Sequence, residues 1–179
     1  VNESAAAATG LPRGIPVVAG GLDAACGTLG GGVFRHGQVQ EQGGQAGGMS
    51  ICLDSPLADP RLILSSHVVK GVWLLQGGTV GGGAGMRWIA DLMGQTEEQQ
   101  ATGENVSRFR VIDQMAEQTP PGADGLIFLP YLMGERSPVW DPDACGVFFG
   151  LSFSTTKGHM YRAVMEGAAY SLRHNLEVA

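Results

Sequence analysis

The sequence predicts an α/β domain, and three observations carry that reading. Short apolar, β-prone runs alternate with stretches of helical spacing. Glycine is clustered against those runs: of 29 glycines, six lie between Gly20 and Gly32, five between Gly37 and Gly48, and six between Gly77 and Gly85. The chain's 179 residues suffice for one ordinary core and are short for a two-domain enzyme. The glycines follow no fixed period, which excludes collagen and solenoids. Glycine after a strand lets backbone N–H groups approach a ligand or adopt positive φ. Three such places in one domain suggest a site that wraps something phosphorylated. The alternative for any single cluster is a tight turn or a close helix packing.

The elements follow in order. Ile15–Ala19 reads as a short buried strand, with Pro16 near its start where a missing N–H is tolerated. After Gly20-Gly21-Leu22-Asp23, the run Ala24–Leu29 reads as a helix of small residues. Gly37–Glu41, the turn Gln42–Gly48 and Met49–Leu53 form a hairpin candidate. Val72–Leu75 is another strand, and a helix follows from Ala84 to Met93 with Gly94 as its C-cap. Gln95–Arg110 is polar and reads as exposed. Val111–Gln118 has helical spacing and is ended by Pro120-Pro121-Gly122. Leu126–Leu129 and Val147–Phe149 read as buried strands. The last helix runs from Thr156 to Glu177, with Ser154 or Thr155 placed to cap it and a narrow face of Met160, Val164, Gly167, Ala168 and Leu172.

Composition narrows the function. A net charge of −6, with two lysines beside nine arginines, argues against nucleic acid or an anionic membrane as partner. No apolar run approaches the roughly 18–20 residues of a membrane span, and Val1–Thr9 has no signal-peptide character. Cys26, Cys52 and Cys145 are odd in number and never CxxC. A reduced, cytoplasmic protein without disulfide or zinc is therefore expected. The phosphate fingerprints GxxxxGK[ST] and GxGxxG are absent, as are GxSxG and HExxH, so a P-loop NTPase, a dinucleotide fold, a nucleophile-elbow hydrolase and a zincin lack support. What remains is a glycine hairpin, Gly43-Gly44-Gln45-Ala46-Gly47-Gly48, with a carboxylate upstream at Asp23.

Three segments then carry a resemblance. Gly14-Ile15-Pro16-Val17-Val18-Ala19-Gly20-Gly21-Leu22-Asp23-Ala24-Ala25 resembles the start of the C-terminal domain of FGGY carbohydrate kinases. Leu129-Pro130-Tyr131-Leu132-Met133-Gly134-Glu135-Arg136-Ser137-Pro138 with Trp140-Asp141-Pro142 resembles that family's LPYLxGER[ST]P…WDP stretch. Gly146–Glu166 is similar to its long C-terminal signature. The wording is closer to xylulokinases than to glycerol kinases. The resemblance covers nearly the whole chain, with the motifs in order.

The resemblance implies an actin-like, ribonuclease H-like ATPase fold, here incomplete. Residues 1–179 are then a C-terminal kinase domain without the sugar-binding N-terminal domain and without the later segment that helps hold adenosine. It implies an ATP-dependent sugar or polyol kinase acting on a xylulose-like pentulose or a related sugar. Asp23 matches the family's catalytic base; a helix N-cap is its other reading. The backbone of Gly43, Gly44, Gln45 and Ala46 matches the phosphate-binding hairpin, with Gln45 where threonine is usual. Gly83 and Arg87 match positions that contact ATP, although Arg87 also reads as a solvated charge; Trp88, Ile89 and Leu92 read as core. Ala24 stands where many relatives carry a polar residue touching the sugar. Mg²⁺ follows from the chemistry of ATP. Glu135 and Arg136 read as a loop ion pair, and His67 and His159 as structural. The chain alone is expected to be inactive, and the last helix to expose an apolar face that favours association, such as a homodimer. A non-catalytic actin-like nucleotide-binding domain, or a structural α/β domain, is the competing reading.

Overall fold

The computed structural model describes residues 1–179. In chain order it contains α1 (Glu3–Thr9), α2 (Asp23–Gly30), β1 (Val39–Glu41), β2 (Gly47–Leu53), β3 (Ile63–Ser66), β4 (Trp73–Thr79), α3 (Gly82–Met93), α4 (Gln95–Glu104), α5 (Arg108–Glu117), β5 (Ile127–Leu129), β6 (Val147–Phe149) and α6 (Lys157–Val178), with a 3₁₀ turn at Ala123–Gly125.

The first four strands form one sheet in the order β1-β2-β4-β3, antiparallel at every step. The expected hairpin is present as β1–β2, with Gln40 opposite Ser50, and β2 pairs β4 on its other edge with Cys52 opposite Leu74. The central strands are covered on both sides. Ala25 of α2 packs with Cys52 and Leu74 on one side, and α6 lies against β2 and β4 on the other. The larger core gathers Ile89 of α3, Ile112 of α5, Phe128 of β5 and Tyr161 and Val164 of α6. β5 and β6 pair as a separate two-stranded ribbon, not as the buried strands expected: Phe128 and Phe148, with rings 4.5 Å apart, face the core, while Ile127, Leu129, Val147 and Phe149 on the other face are exposed. Aromatic pairs of this kind add about 0.5–1.5 kcal/mol to what burial of their area contributes.

Several expectations change. Residues 15–19 form no strand: Val17 and Val18 are 77% and 83% exposed. No strand of the chain hydrogen-bonds to this segment, and a strand without a ladder leaves its backbone polar groups unpaired except by water. The amino terminus holds the segment's start: the Val1 amino group donates to the Ile15 carbonyl, and the preceding Gly14 N–H donates to the Val1 carbonyl at 2.9 Å. Residues 95–110 are mostly exposed as read, apart from buried Glu97 and Ala101, and they are largely helical. They contain α4 and the start of α5, joined at Asn105, whose φ of 54° closes α4 in the left-handed conformation favoured by asparagine. Ser107 caps α5 by accepting from Phe109 N–H. Thr156, not Ser154 or Thr155, caps α6: its N–H donates to Nδ1 of His159 at 3.1 Å. That leaves Nε2 of His159 to meet Asp124 at 3.0 Å, and His67 bonds the backbone of Val33 and Val69, so both histidines are structural.

The buried face of α6 is Tyr161, Val164, Gly167, Ser171 and Asn175. It is rotated from the expected stripe because α6 meets α3, α5 and β5 as well as the sheet. Ala168 and Leu172 are only half-buried. The chain's exposed apolar surface lies chiefly elsewhere, at Val17, Val18, Met133, Phe149, Leu151 and Phe153.

Candidate functional site

The tip of the β1–β2 hairpin is the centre of the site. Gln42 N–H donates to the Gly48 carbonyl at 2.8 Å and closes the ladder. Beyond it Gly43, Gly44, Gln45 and Ala46 are exposed, and none of their four N–H groups donates to an acceptor in the protein. The carbonyls behave differently. Gly44 C=O accepts from Gly83 N–H at 2.8 Å, and Gln45 C=O from Ala84 N–H at 2.9 Å. The hairpin is thus stitched by its carbonyls to the first turn of α3, and its N–H groups face outward. A run of free N–H donors on a fixed turn is an anion-binding arrangement. Because Gly83 and Ala84 donate to the hairpin, free donors come from the hairpin and not from these two helix positions.

Close backbone contact makes this possible. At Gly82 an added Cβ would stand 2.7 Å from the Ala46 carbonyl carbon and closer still to Gly47 N, so only glycine lets α3 start against the hairpin. Gly82→Ala is expected to destabilise the chain by about 1–3 kcal/mol through forced backbone displacement. Urea denaturation checks this, and a loss below about 0.5 kcal/mol, the ordinary surface range, would contradict the stitching.

The hairpin is a wall between hollows. On one side a cavity of about 410 Å³ is lined by Gly44, Gln45, Gly83, Arg87, Trp88 and Asp91. It unites four of the residues picked from the sequence. Arg87 is exposed and makes no ion pair, whereas Asp91 is bound to Arg108. Trp88 lines the hollow with its ring 6.0 Å from Phe128, and Leu92 is exposed, so of the three expected core residues only Ile89 is one. On the other side a second cavity of about 410 Å³ brings Asp23 and Ala24 to Ala46, Gly78 and Arg136. Gly43 belongs to a third hollow, of about 490 Å³, shared with Ala168 and Leu172 of α6.

Asp23 is the first residue of α2. Its Oδ1 accepts from Ala24 N–H at 2.8 Å, while Oδ2 accepts no hydrogen bond. The N-cap of α2 is Leu22, with no side-chain cap bond, so Asp23 is not the cap that its place before Ala24-Ala25 suggests: it lies one residue inside the helix, bonds only the next N–H, and leaves Oδ2 without a partner. Nearby amides are held in place, with Gln76 Nε2 donating to Ser50 Oγ at 3.0 Å and Ser65 Oγ donating to Gln76 Oε1 at 2.8 Å.

Residues 52–179 match the C-terminal domain of the FGGY family of carbohydrate kinases. The chain belongs to this family. It is 36% identical to a gluconokinase of Bacillus licheniformis over 172 residues, 96% of this chain and 34% of that protein. It is 34% identical to a xylulose kinase of Staphylococcus epidermidis, over 99% of this chain and 34% of the relative. The crystal structure of a xylulose kinase from Rhodospirillum rubrum superimposes on 99% of this chain and 34% of its own with a TM-score of 0.84 at 38% identity. The fold is thus that of FGGY sugar kinases, the actin-like class, and the chain spans about a third of the length of these relatives.

Within this FGGY fold, the expected Glu135–Arg136 ion pair does not form. Glu135 is 5% exposed and turns inward. Its Oε2 accepts from Thr79 Oγ1 at 2.6 Å, and its Oε1 accepts from Val80 N–H at 2.9 Å and Arg136 N–H at 2.7 Å. Glu135 therefore ties the loop after β5 to the end of β4, and the Arg136 side chain is left to the Asp23 hollow. A Glu-Arg dipeptide in sequence suggests mutual pairing; the buried N–H and O–H donors at the end of β4 compete for the carboxylate and win. Sequence reading also passed over β3, and took Trp88 as core where it lines the hollow. Leu62-Ile63-Leu64 was the available signal for β3.

Proposed function

We propose that this chain is the nucleotide-binding lobe of an ATP-dependent kinase that phosphorylates a hydroxyl of a xylulose-like pentulose or a related sugar. The observation that carries the proposal is the row of free N–H groups at Gly43–Ala46, set between a hollow holding an unpartnered carboxylate oxygen of Asp23 and a hollow holding Arg87. The relatives named gluconokinase and xylulose kinase support the acceptor class. In this reading ATP phosphates lie along the hairpin N–H groups, and Arg87 and Gly83 flank the nucleotide side. Gln45 replaces the usual threonine with an amide that can donate to phosphate oxygen. The acceptor hydroxyl lies beside Asp23. As its oxygen bonds to the γ-phosphorus and the bond to the bridging β–γ oxygen breaks, ADP leaves with the electron pair and Asp23 takes the hydroxyl proton. Ala24, beside the base, offers no hydrogen bond from its side chain, so polar contacts to the sugar come from elsewhere. Mg²⁺ accompanying ATP would neutralise phosphate charge. A cytoplasmic location accords with these substrates, and no helix is long and apolar enough to cross a membrane.

The test is thermal stability with and without Mg-ATP, for the wild-type chain, Gly44→Val and Asp23→Ala. A ligand that binds only the folded state stabilises it, by about 2.7 kcal/mol at a hundredfold excess over Kd. The expected result is a raised midpoint in wild type and in Asp23→Ala, and none in Gly44→Val. An equal shift in Gly44→Val, or none in wild type, overturns the hairpin as the phosphate site.

A further inference from the structure

The Asp23 hollow has a single cation among its lining residues, Arg136, and it makes no ion pair with any carboxylate of the protein, Asp23 included. Arg136 reaches across β4 at Gly78, where an added Cβ would stand 2.9 Å from Nη2 and 3.2 Å from Cζ. Glycine at 78 therefore keeps the path of the guanidinium open. The base of the side chain is fixed: Arg136 N–H donates to buried Glu135, and its carbonyl accepts from Trp140 N–H at 2.6 Å. Its guanidinium, by contrast, makes no hydrogen bond and no ion pair. The guanidiniums of Arg61, Arg108, Arg162 and Arg173 each meet a carboxylate; of the arginines that do not, Arg136 is the one that lines the Asp23 hollow.

The hollow contains one carboxylate, Asp23, and its wall includes Ala46 and Gly47 at the end of the hairpin. A phosphoryl group arriving there would face the like charge of Asp23. A planar fork of N–H donors on a fixed stem is matched to tetrahedral oxyanions, and guanidinium–phosphate bonds are among the stronger protein hydrogen bonds. We propose that Arg136 holds the transferred phosphoryl group on the acceptor side of the hairpin, binding the phosphate monoester dianion of the product. The hairpin N–H groups keep the phosphates that remain with the nucleotide. This assignment rests on the kinase reading above. It gives the loop of residues 130–142 a role in substrate binding, with Glu135 as the positioning residue behind Arg136.

The shared chemistry, a phosphoryl dianion, could belong to the nucleotide or to the phosphorylated acceptor, and the experiment separates the two. The chain would be titrated by calorimetry with glycerol 3-phosphate, a monoester on a polyol, and separately with Mg-ADP, in wild type, Arg136→Gln and Arg136→Lys. The expected result is at least a tenfold loss of glycerol 3-phosphate affinity in Arg136→Gln, partial recovery in Arg136→Lys, and Mg-ADP affinity unchanged throughout. Since the side chain is exposed and unbonded, the thermal midpoint of Arg136→Gln should match wild type, so a loss of binding is not a loss of fold. Unchanged monoester affinity in Arg136→Gln, no monoester binding in wild type, or an equal loss for Mg-ADP each overturns the assignment. Failure of wild type to bind Mg-ADP while Arg136-dependent monoester binding persists instead removes the nucleotide reading.

Discussion

Lys157→Met is expected to destabilise the chain by about 2–4 kcal/mol and to reverse the sign of one part of its pH dependence. Lys157 Nζ donates to both carboxylate oxygens of Glu97, at 3.0 and 2.9 Å, linking α4 to the start of α6. Glu97 is only 3% exposed, so removal of the lysine leaves a buried carboxylate without its cation. Such losses cost about 3–5 kcal/mol for fully buried pairs, and about a unit less is expected here because Lys157 keeps 35% of its side chain in water. Burial by itself pushes the Glu97 carboxyl up, but the Lys157 bonds and charge, together with backbone and Tyr161 hydrogen bonds, outweigh it and hold the group below its ordinary value of 4.5. The stabilisation from Glu97 is therefore complete above the ordinary glutamate range and disappears as pH falls through the lowered folded value. In Lys157→Met burial, the largest single influence, is opposed only by the backbone and Tyr161 hydrogen bonds, so the folded pKa rises; where it passes the unfolded value, Glu97 opposes folding increasingly as pH rises above the ordinary range. Urea denaturation of both proteins near pH 4 and pH 7 isolates this group, because all other carboxylates are common to the pair. The gap between wild type and variant should widen toward pH 7; a constant gap would refute the pairing. Tyr161, held up to about 12 by burial and then by the Glu97 charge, stays neutral across that window.

Glu135→Ala should cost about 3–5 kcal/mol, because one buried carboxylate satisfies three donors. Without it Thr79 O–H, Val80 N–H and Arg136 N–H lose their acceptor, and each bond to a charged group is worth about 1.5–3 kcal/mol before water compensates. Glu135→Gln separates shape from charge. It retains one carbonyl oxygen but presents an amide N–H₂ to a neighbouring donor, so it should fall between wild type and Glu135→Ala. Chemical denaturation gives the order directly, and a Glu135→Ala loss under about 1 kcal/mol would mean that the loop is not anchored at β4. Because Arg136 is mounted on the same anchor, Glu135→Gln is also expected to weaken glycerol 3-phosphate binding, while Mg-ADP binding at the hairpin tip is retained.

How much of this was legible beforehand depended on whether the determining contacts are local. The hairpin was readable from its glycine-rich turn between two apolar runs, α5 and α6 from helical spacing, and the Gly94 cap from the glycine itself; each rests on a few neighbouring residues. Residues 15–19 misled because β propensity describes a residue's fit to a ladder, and no ladder reaches them. Polarity misled at two residues of α4, Glu97 and Ala101, which are buried in an otherwise exposed helix; the partner that lets Glu97 be buried lies 60 residues away at Lys157. Trp88 and Leu92 carry helical spacing that fits a core, yet the core takes only Ile89, because the helix face at the hairpin side borders a hollow.

The candidate site divides along the same line. Sequence by itself determined the family, the placement of Asp23 at a helix start and the glycine hairpin, since those depend on residue identity in short motifs. The tertiary structure decided that the hairpin's carbonyls are bound by α3 while its N–H groups stay free, that Asp23 and Arg87 occupy hollows on opposite sides of that wall, and that Glu135 turns inward and releases Arg136 toward Asp23. These are questions of which donor meets which acceptor across long stretches of chain. Hydrogen bonds form on distance and angle in three dimensions, so adjacency in sequence, as in Glu135-Arg136, gives no guarantee of contact in space.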